Sequence, residues 1–171
     1  ELWRLLGLGF MYLLCLADNF SAAHDSIAYL NQLELDPELH WYSHHLLWHP
    51  LMAWWVDLWP NSFAVGSRIA SLNAVSGLGL LMIVYCILRR RFQLSNEIAR
   101  MGTFLIGVTY GIWGYSIFVE VYMIPLVALL GAIYVLGAPK PGNRTIFLSS
   151  LLLAVAILFH QSHILFIPVP V

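Results

Sequence analysis

Charged side chains are scarce in this chain: Asp, Glu, Lys and Arg make up only 10% of its 171 residues, and the formal net charge is -1. With so few cations there is no basic face on which phosphates could collect, which argues against a nucleic-acid partner. Cysteine is rarer still. Cys15 and Cys86 both lie inside apolar runs, near opposite faces of the membrane on the topology derived below, so they read as small hydrophobes and not as a disulfide framework. No HExxH, CxxCH or carboxylate-bridged repeat is present, which leaves the chain without a strong metal or haem signature.

Apolar residues are abundant, at 60%, and the mean hydropathy is strongly positive. A soluble domain of this length rarely carries that composition. Crossing a hydrocarbon core of roughly 30 Å takes about 20 helical residues, and several stretches qualify or nearly do. They are Leu2 to about Leu16, Phe63 to Leu88, Met101 to about Phe118, Val121 to Leu136, and Thr145 to about Phe159. The expected fold is therefore all-α: a polytopic transmembrane bundle of about five spans. Residues 1–171 form a single transmembrane domain, and the long extracytoplasmic first loop, 17–62, carries interfacial helices. The chain opens on Glu1 and closes on an apolar Pro-Val-Pro-Val, so the expectation is the amino-terminal part of a larger protein.

Orientation follows from the positive charges, because short loops rich in Lys and Arg stay cytoplasmic. Arg4 precedes the first span, Arg89, Arg90, Arg91 and Arg100 separate the second from the third, and Lys140 and Arg144 separate the fourth from the fifth. All fall on one side when five spans alternate, which puts the amino terminus in the cytoplasm, as in a bacterial inner membrane or its equivalent. All seven histidines and seven of the nine acidic residues fall on the other side. The lipid bilayer is the first partner this implies, and membrane-protein partners are the second.

The external segment carries structure signals. Asp25, Ser26, Ile27, Tyr29 and Leu30 predict a short amphipathic helix, Asp36 and Pro37 mark a helix start, and the tryptophans and tyrosines from Trp41 to Trp59 suit a membrane interface. His40 with His44, and His45 with His49, are spaced four apart, while His160 and His163 are three apart, so each pair shares a helical face. That spacing is compatible with a divalent metal, with His44 and His45 as the candidate ligands, or with bis-imidazole haem. Two ionisable residues lie at membrane depth, where an unpaired charge is costly. Arg68 either snorkels to the interface or clamps an anionic group with its guanidinium fork. Glu120, between Val119 and Val121 at the tip of a helical hairpin, points either to solvent or into a polar cavity.

Several of these residues follow an order that resembles the C-type (GT-C) membrane glycosyltransferases, closest to the protein-O-mannosyltransferase-like proteins. They are Asp25 in the first external loop, the His49-Pro50 step, Arg68 with Asn73, then Phe118-Val119-Glu120-Val121-Tyr122, and His160-Gln161-Ser162-His163. The resemblance covers most of this chain and the amino-terminal half of a typical family member. It implies transfer of a sugar from a polyprenyl-phosphate donor to an acceptor at the extracytoplasmic face. By resemblance Asp25 is the general base, with Asp18 the alternative, and Glu120 and Tyr122 orient the base loop or the acceptor. Arg68, His49, His160 and His163 would meet the departing phosphate, alone or with a divalent metal. The chain departs from the family pattern at Ser26 and Ile27, where Gly-Glu usually follows the aspartate, and at the His-Pro step, which lacks the usual second Pro and Gly. Two other classes remain open: a non-catalytic membrane subunit of a larger complex, respiratory or photosynthetic for example, and a haem or metal-binding membrane protein.

Overall fold

The computed structural model describes residues 2–16, 24–35, 45–60 and 62–166. Among them the regular structure is entirely helical: α1 (Leu2–Leu14), α2 (His24–Leu35), α3 (Trp48–Asp57), α4 (Val65–Arg90), α5 (Asn96–Gly107), α6 (Tyr110–Ile117), α7 (Met123–Leu136) and α8 (Asn143–Phe159), followed by a 3-10 turn at Gln161–Phe166. The element at the centre is α4. Its 26 residues, about 39 Å of helix, make it the one described helix that is both long and apolar enough to cross a membrane, while α7 and α8 are apolar but shorter.

The other helices align along α4 in alternating directions. Gly9 of α1 meets Leu78, and Leu13 and Leu16 come beside Arg68 and Ser71, so α1 runs against α4. Gly102 of α5 faces Leu88, Ser116 of α6 faces Gly77, and Asn73 reaches Phe118, so the α5–α6 segment climbs in that same direction. Arg91, just past α4, donates to the Tyr134 carbonyl at 2.7 Å and lies over the Tyr134 ring, bringing the ends of α4 and α7 together. Ser149 donates to Ala132 at 3.1 Å, and Ala156 packs on Ala128 and Leu129, so α8 turns back on α7.

The third apolar stretch differs from the expected single helix. It begins at Ser95, whose side chain accepts from the Ile98 amide as an N-cap, with Glu97 in the first turn. It then breaks at Val108 and Thr109. There the Thr109 hydroxyl donates to Ile106 at 2.6 Å, and the buried Tyr12 hydroxyl of α1 donates to the Gly107 carbonyl at 2.6 Å. Side-chain donors thus compete with helical continuation for the same backbone acceptors. Tyr12 comes that close because Gly107 has no side chain: a Cβ there would collide with Leu8 and crowd Tyr12 itself.

Gly77 plays the same part between α4 and α6. A Cβ at this position would run into the Ser116 hydroxyl, which is fully buried and donates to Ile112. Gly79, in contrast, faces open space. Gly77→Ala is therefore expected to cost about 1–3 kcal/mol in reversible unfolding in detergent micelles, and Ser116→Ala in the same chain should return part of that loss. Equal stability of wild type and Gly77→Ala would show that the α4–α6 contact is looser than described.

Candidate functional site

The two ends of the bundle differ chemically. Arg89, Arg90, Arg91 and Arg100 gather where α4 turns into α5, close to the α7–α8 connection that carries Lys140 and Arg144. The opposite end holds α3, the turn from Phe118 to Tyr122, and the close of α8.

Helix α3 is the lid of that second end. Proline is tolerated at Pro50 because first-turn amides have no helical acceptor to lose. The face of α3 bearing Trp48, His49 and Met52 is buried, and Trp48 and Met52 pack with Tyr29, Ile69, Val119, Val121 and Phe159. The helix is tied down at both ends. The Leu47 amide donates to Leu158 at 3.2 Å, and the Trp55 indole N–H donates to the Arg68 carbonyl at 2.9 Å. Arg68 itself is buried, and its Nη1 donates to the Val56 carbonyl at 3.1 Å. A guanidinium at the carboxyl end of α3 adds a donor to a carbonyl that also accepts from the Trp59 amide, and it meets the negative end of the helix dipole. Its Nε has no hydrogen-bond partner among the described residues. Beside it Leu13, Leu16, Trp59, Phe63, Ser67 and Ser71 line an apolar cavity of about 150 Å³.

The described histidines converge. His45 lies just before α3 and joins three segments: Nδ1 is 3.0 Å from the Phe159 carbonyl and Nε2 is 3.2 Å from the Tyr29 hydroxyl of α2. Because a carbonyl can only accept, the proton sits on Nδ1, and Nε2 accepts from Tyr29. His160 packs against His45 with ring centroids 5.0 Å apart, against Tyr122 at 5.1 Å and against His163 at 5.6 Å. Its Nδ1 receives the Ser162 hydroxyl at 2.6 Å and the Ser162 amide at 3.4 Å, which puts its proton on Nε2. The rings continue from Tyr115 through Tyr122, His160, His45, Tyr29 and Trp48 to His49, a run of aromatic and imidazole edges across this end of the bundle.

Glu120 stands at the same end, in a turn without helical hydrogen bonding. Val119 and Val121 point into the core cluster, and Glu120 between them is buried at 8% exposure. The turn is held by Asn73 of α4, which is fully buried and donates from Nδ2 to the Phe118 carbonyl and to the Glu120 carbonyl, both at 2.8 Å.

Of the residues singled out in the sequence, the structure gathers His45, His49, Tyr122, His160, His163 and Glu120 at one end, with Arg68 on the far side of α3. Asp18 and His44 lie outside the described residues, as does the side chain of Asp25, which is carried on α2. Both ring nitrogens of His45 are committed to protein partners, and among the described residues no group of three or more metal-ligating side chains gathers. Sequence reasoning overlooked Tyr29 and Ser162 as partners of the histidines, because their hydrogen bonds link residues of no fixed spacing. It named Asn73 without a role, although a carboxamide inside an apolar helix is itself a signal of a buried hydrogen-bonding task. No family model, curated protein or solved structure matches the chain.

His49 is 2% exposed, and its pKa is lowered by burial first and by the neighbouring His45 second. The folded protein thus resists protonating His49, whereas the unfolded chain takes up that proton near pH 6.5. Above that pH both states hold a neutral ring, and below it the unfolded state binds more protons, so stability falls as pH falls. Stability measured by melting in detergent should drop between pH 7.5 and 5.5 by more in wild type than in His49→Gln. Identical slopes for the two proteins would remove His49 as the cause.

Proposed function

We propose that this chain is the amino-terminal, membrane-embedded part of a GT-C-type glycosyltransferase, moving a sugar from a polyprenyl-phosphate donor to an acceptor at the extracytoplasmic face. In this reading α1, α4, the α5–α6 pair, α7 and α8 are five spans, and α2 and α3 lie along the outer interface. The broken third span is compatible with it, because the Tyr12 and Thr109 hydroxyls meet backbone acceptors at the break.

The observation that carries the reading is the buried carboxylate of Glu120, held in its turn by Asn73 at the end where His49, His160 and Tyr122 gather. A carboxylate, imidazoles and aromatic rings gathered at one end of the bundle are the groups a sugar transfer needs. A base takes the proton of the acceptor hydroxyl, the freed oxygen attacks the anomeric carbon, and the bond to the phosphate oxygen breaks, its electron pair leaving with the phosphate. Asp25 is assigned as the base by resemblance, with Asp18 the alternative, and Glu120 orients the acceptor or the base loop. The growing charge on the phosphate calls for donors. By resemblance His160 and Arg68 are those donors, and the Arg68 Nε lies beside the apolar cavity that would take the first part of an isoprenoid chain.

A second reading is a non-catalytic subunit of a membrane complex. It is favoured by Met101, Phe104, Phe147 and Leu151, large apolar side chains left exposed on α5 and α8, which a partner helix would cover as well as lipid does.

The test is transfer from a radiolabelled polyprenyl-phosphate sugar by the full-length protein in proteoliposomes. Asp25→Asn and Glu120→Gln should each lower the rate by about 10²- to 10⁴-fold, the usual worth of a positioned acid or base, with the protein still folded. Robust transfer by both variants would refute the site, and a wild type without transfer would leave the subunit reading.

A further inference from the structure

We propose that Asn73 is the positioning residue that sets where the Glu120 carboxyl sits; the part this plays in sugar transfer rests on the reading given above. An amide nitrogen carries two hydrogens, and in Asn73 each goes to a different carbonyl of one short segment, Phe118 and Glu120, at 2.8 Å. In an α-helix carbonyls two residues apart lie on nearly opposite sides of the axis, so the pair of bonds selects a non-helical turn at 118–120 over another helical turn. Phe118 is in the β region, with φ -102° and ψ 168°, and the chain returns to helical values at Tyr122.

The hold keeps three buried residues in place. Val119 and Val121 are 0% and 1% exposed in the apolar cluster, and Glu120 between them is 8% exposed. Continuing the helix through this segment would use the Phe118 and Glu120 carbonyls internally and leave the buried Asn73 amide without them. Asparagine suits the task for a chemical reason. Aspartate would set acceptors against two acceptors, leucine would leave both carbonyls unmet, and serine has one hydrogen to give. The residue is anchored in α4, the longest helix, so the turn inherits the rigidity of the bundle centre.

The experiment uses the full-length protein in nanodiscs, as wild type, Asn73→Asp, Asn73→Ser and Asn73→Gln, each with and without Glu120→Gln. The infrared carboxyl band that Glu120→Gln abolishes reports the Glu120 side chain and is followed with pH. Alongside it, kcat and the donor KM are measured for transfer. Asn73→Asp and Asn73→Ser should shift the titration midpoint of that band by about one pH unit or more and lower kcat at least about tenfold, with KM within about twofold. Asn73→Gln, which keeps both hydrogens, should return part of the band position and of kcat. A band that titrates in Asn73→Ser as in wild type overturns the proposal, as does a fall in kcat that only tracks the loss of folded protein. A shifted band in a wild-type background that transfers no sugar sustains the positioning role and rejects the transferase. Normal transfer with an unmoved band does the reverse.

Discussion

A backbone carbonyl that loses its helical N–H inside an apolar bundle must be given another donor, or the fold loses several kcal/mol. Among the described residues several interruptions are met by a side chain from a different element. Tyr12 of α1 serves Gly107 where the third apolar stretch breaks, Asn73 of α4 serves Phe118 and Glu120 in the next turn, and Arg91 serves Tyr134 at the end of α7, while Arg68 adds a second donor to Val56 at the end of α3. The long-range polar contacts of the bundle are largely repairs of this kind. They also decide the architecture, because each donor must reach across from a neighbour and so fixes which helix lies beside which.

These repairs confine the polar chemistry. A donor such as Arg68 or Asn73 can be buried because its bonds go to carbonyls and, for Arg68, to a helix end of negative partial charge. At the histidine-bearing end Tyr122 and His163 stack on His160 beside the exposed Ser162, and Glu120 lies buried in the adjoining turn. His45 belongs to the structural set, because both of its nitrogens serve to join α2, α3 and α8. The seven-ring run therefore divides in function at the His45–His160 contact, into a keystone on one side and a surface on the other.

Much of this was legible in the residues, for definable reasons. The apolar stretches mark helices because a run of that composition has few other ways to satisfy its backbone, and α4, α7 and α8 begin and end within a few residues of where the pattern places them. The expected amphipathic segment around Asp25 to Leu30 lies in α2. The break at Val108 was not legible, since it depends on Tyr12, nearly a hundred residues away, meeting Gly107. The partners of Arg68 escaped for the same reason. Hydropathy says that a cation at this depth needs an acceptor, but not that the acceptor is the end of a helix laid across the top of the bundle. Periodicity paired His45 with His49 on one helix face, yet the helix begins only at Trp48, and His45 owes its place to Tyr29 and Phe159.

The position of Glu120 brings these strands together. Burying a carboxylate is unfavourable, and the flanking valines alone would be equally content in a helical turn with the acid in water. What excludes that alternative is geometry: a further helical turn would use the Phe118 and Glu120 carbonyls internally and strand the Asn73 amide, fully buried, with no acceptor. The cost of an unmet buried amide, about 1–3 kcal/mol, thus maintains a non-helical turn and a buried acid. A protein with no use for the acid would be better served by a glycine turn and a leucine at position 73. The pairing of a costly residue with a dedicated holder is the feature of this fold that calls for a chemical explanation, and sugar transfer is one that the neighbouring imidazoles and rings can complete.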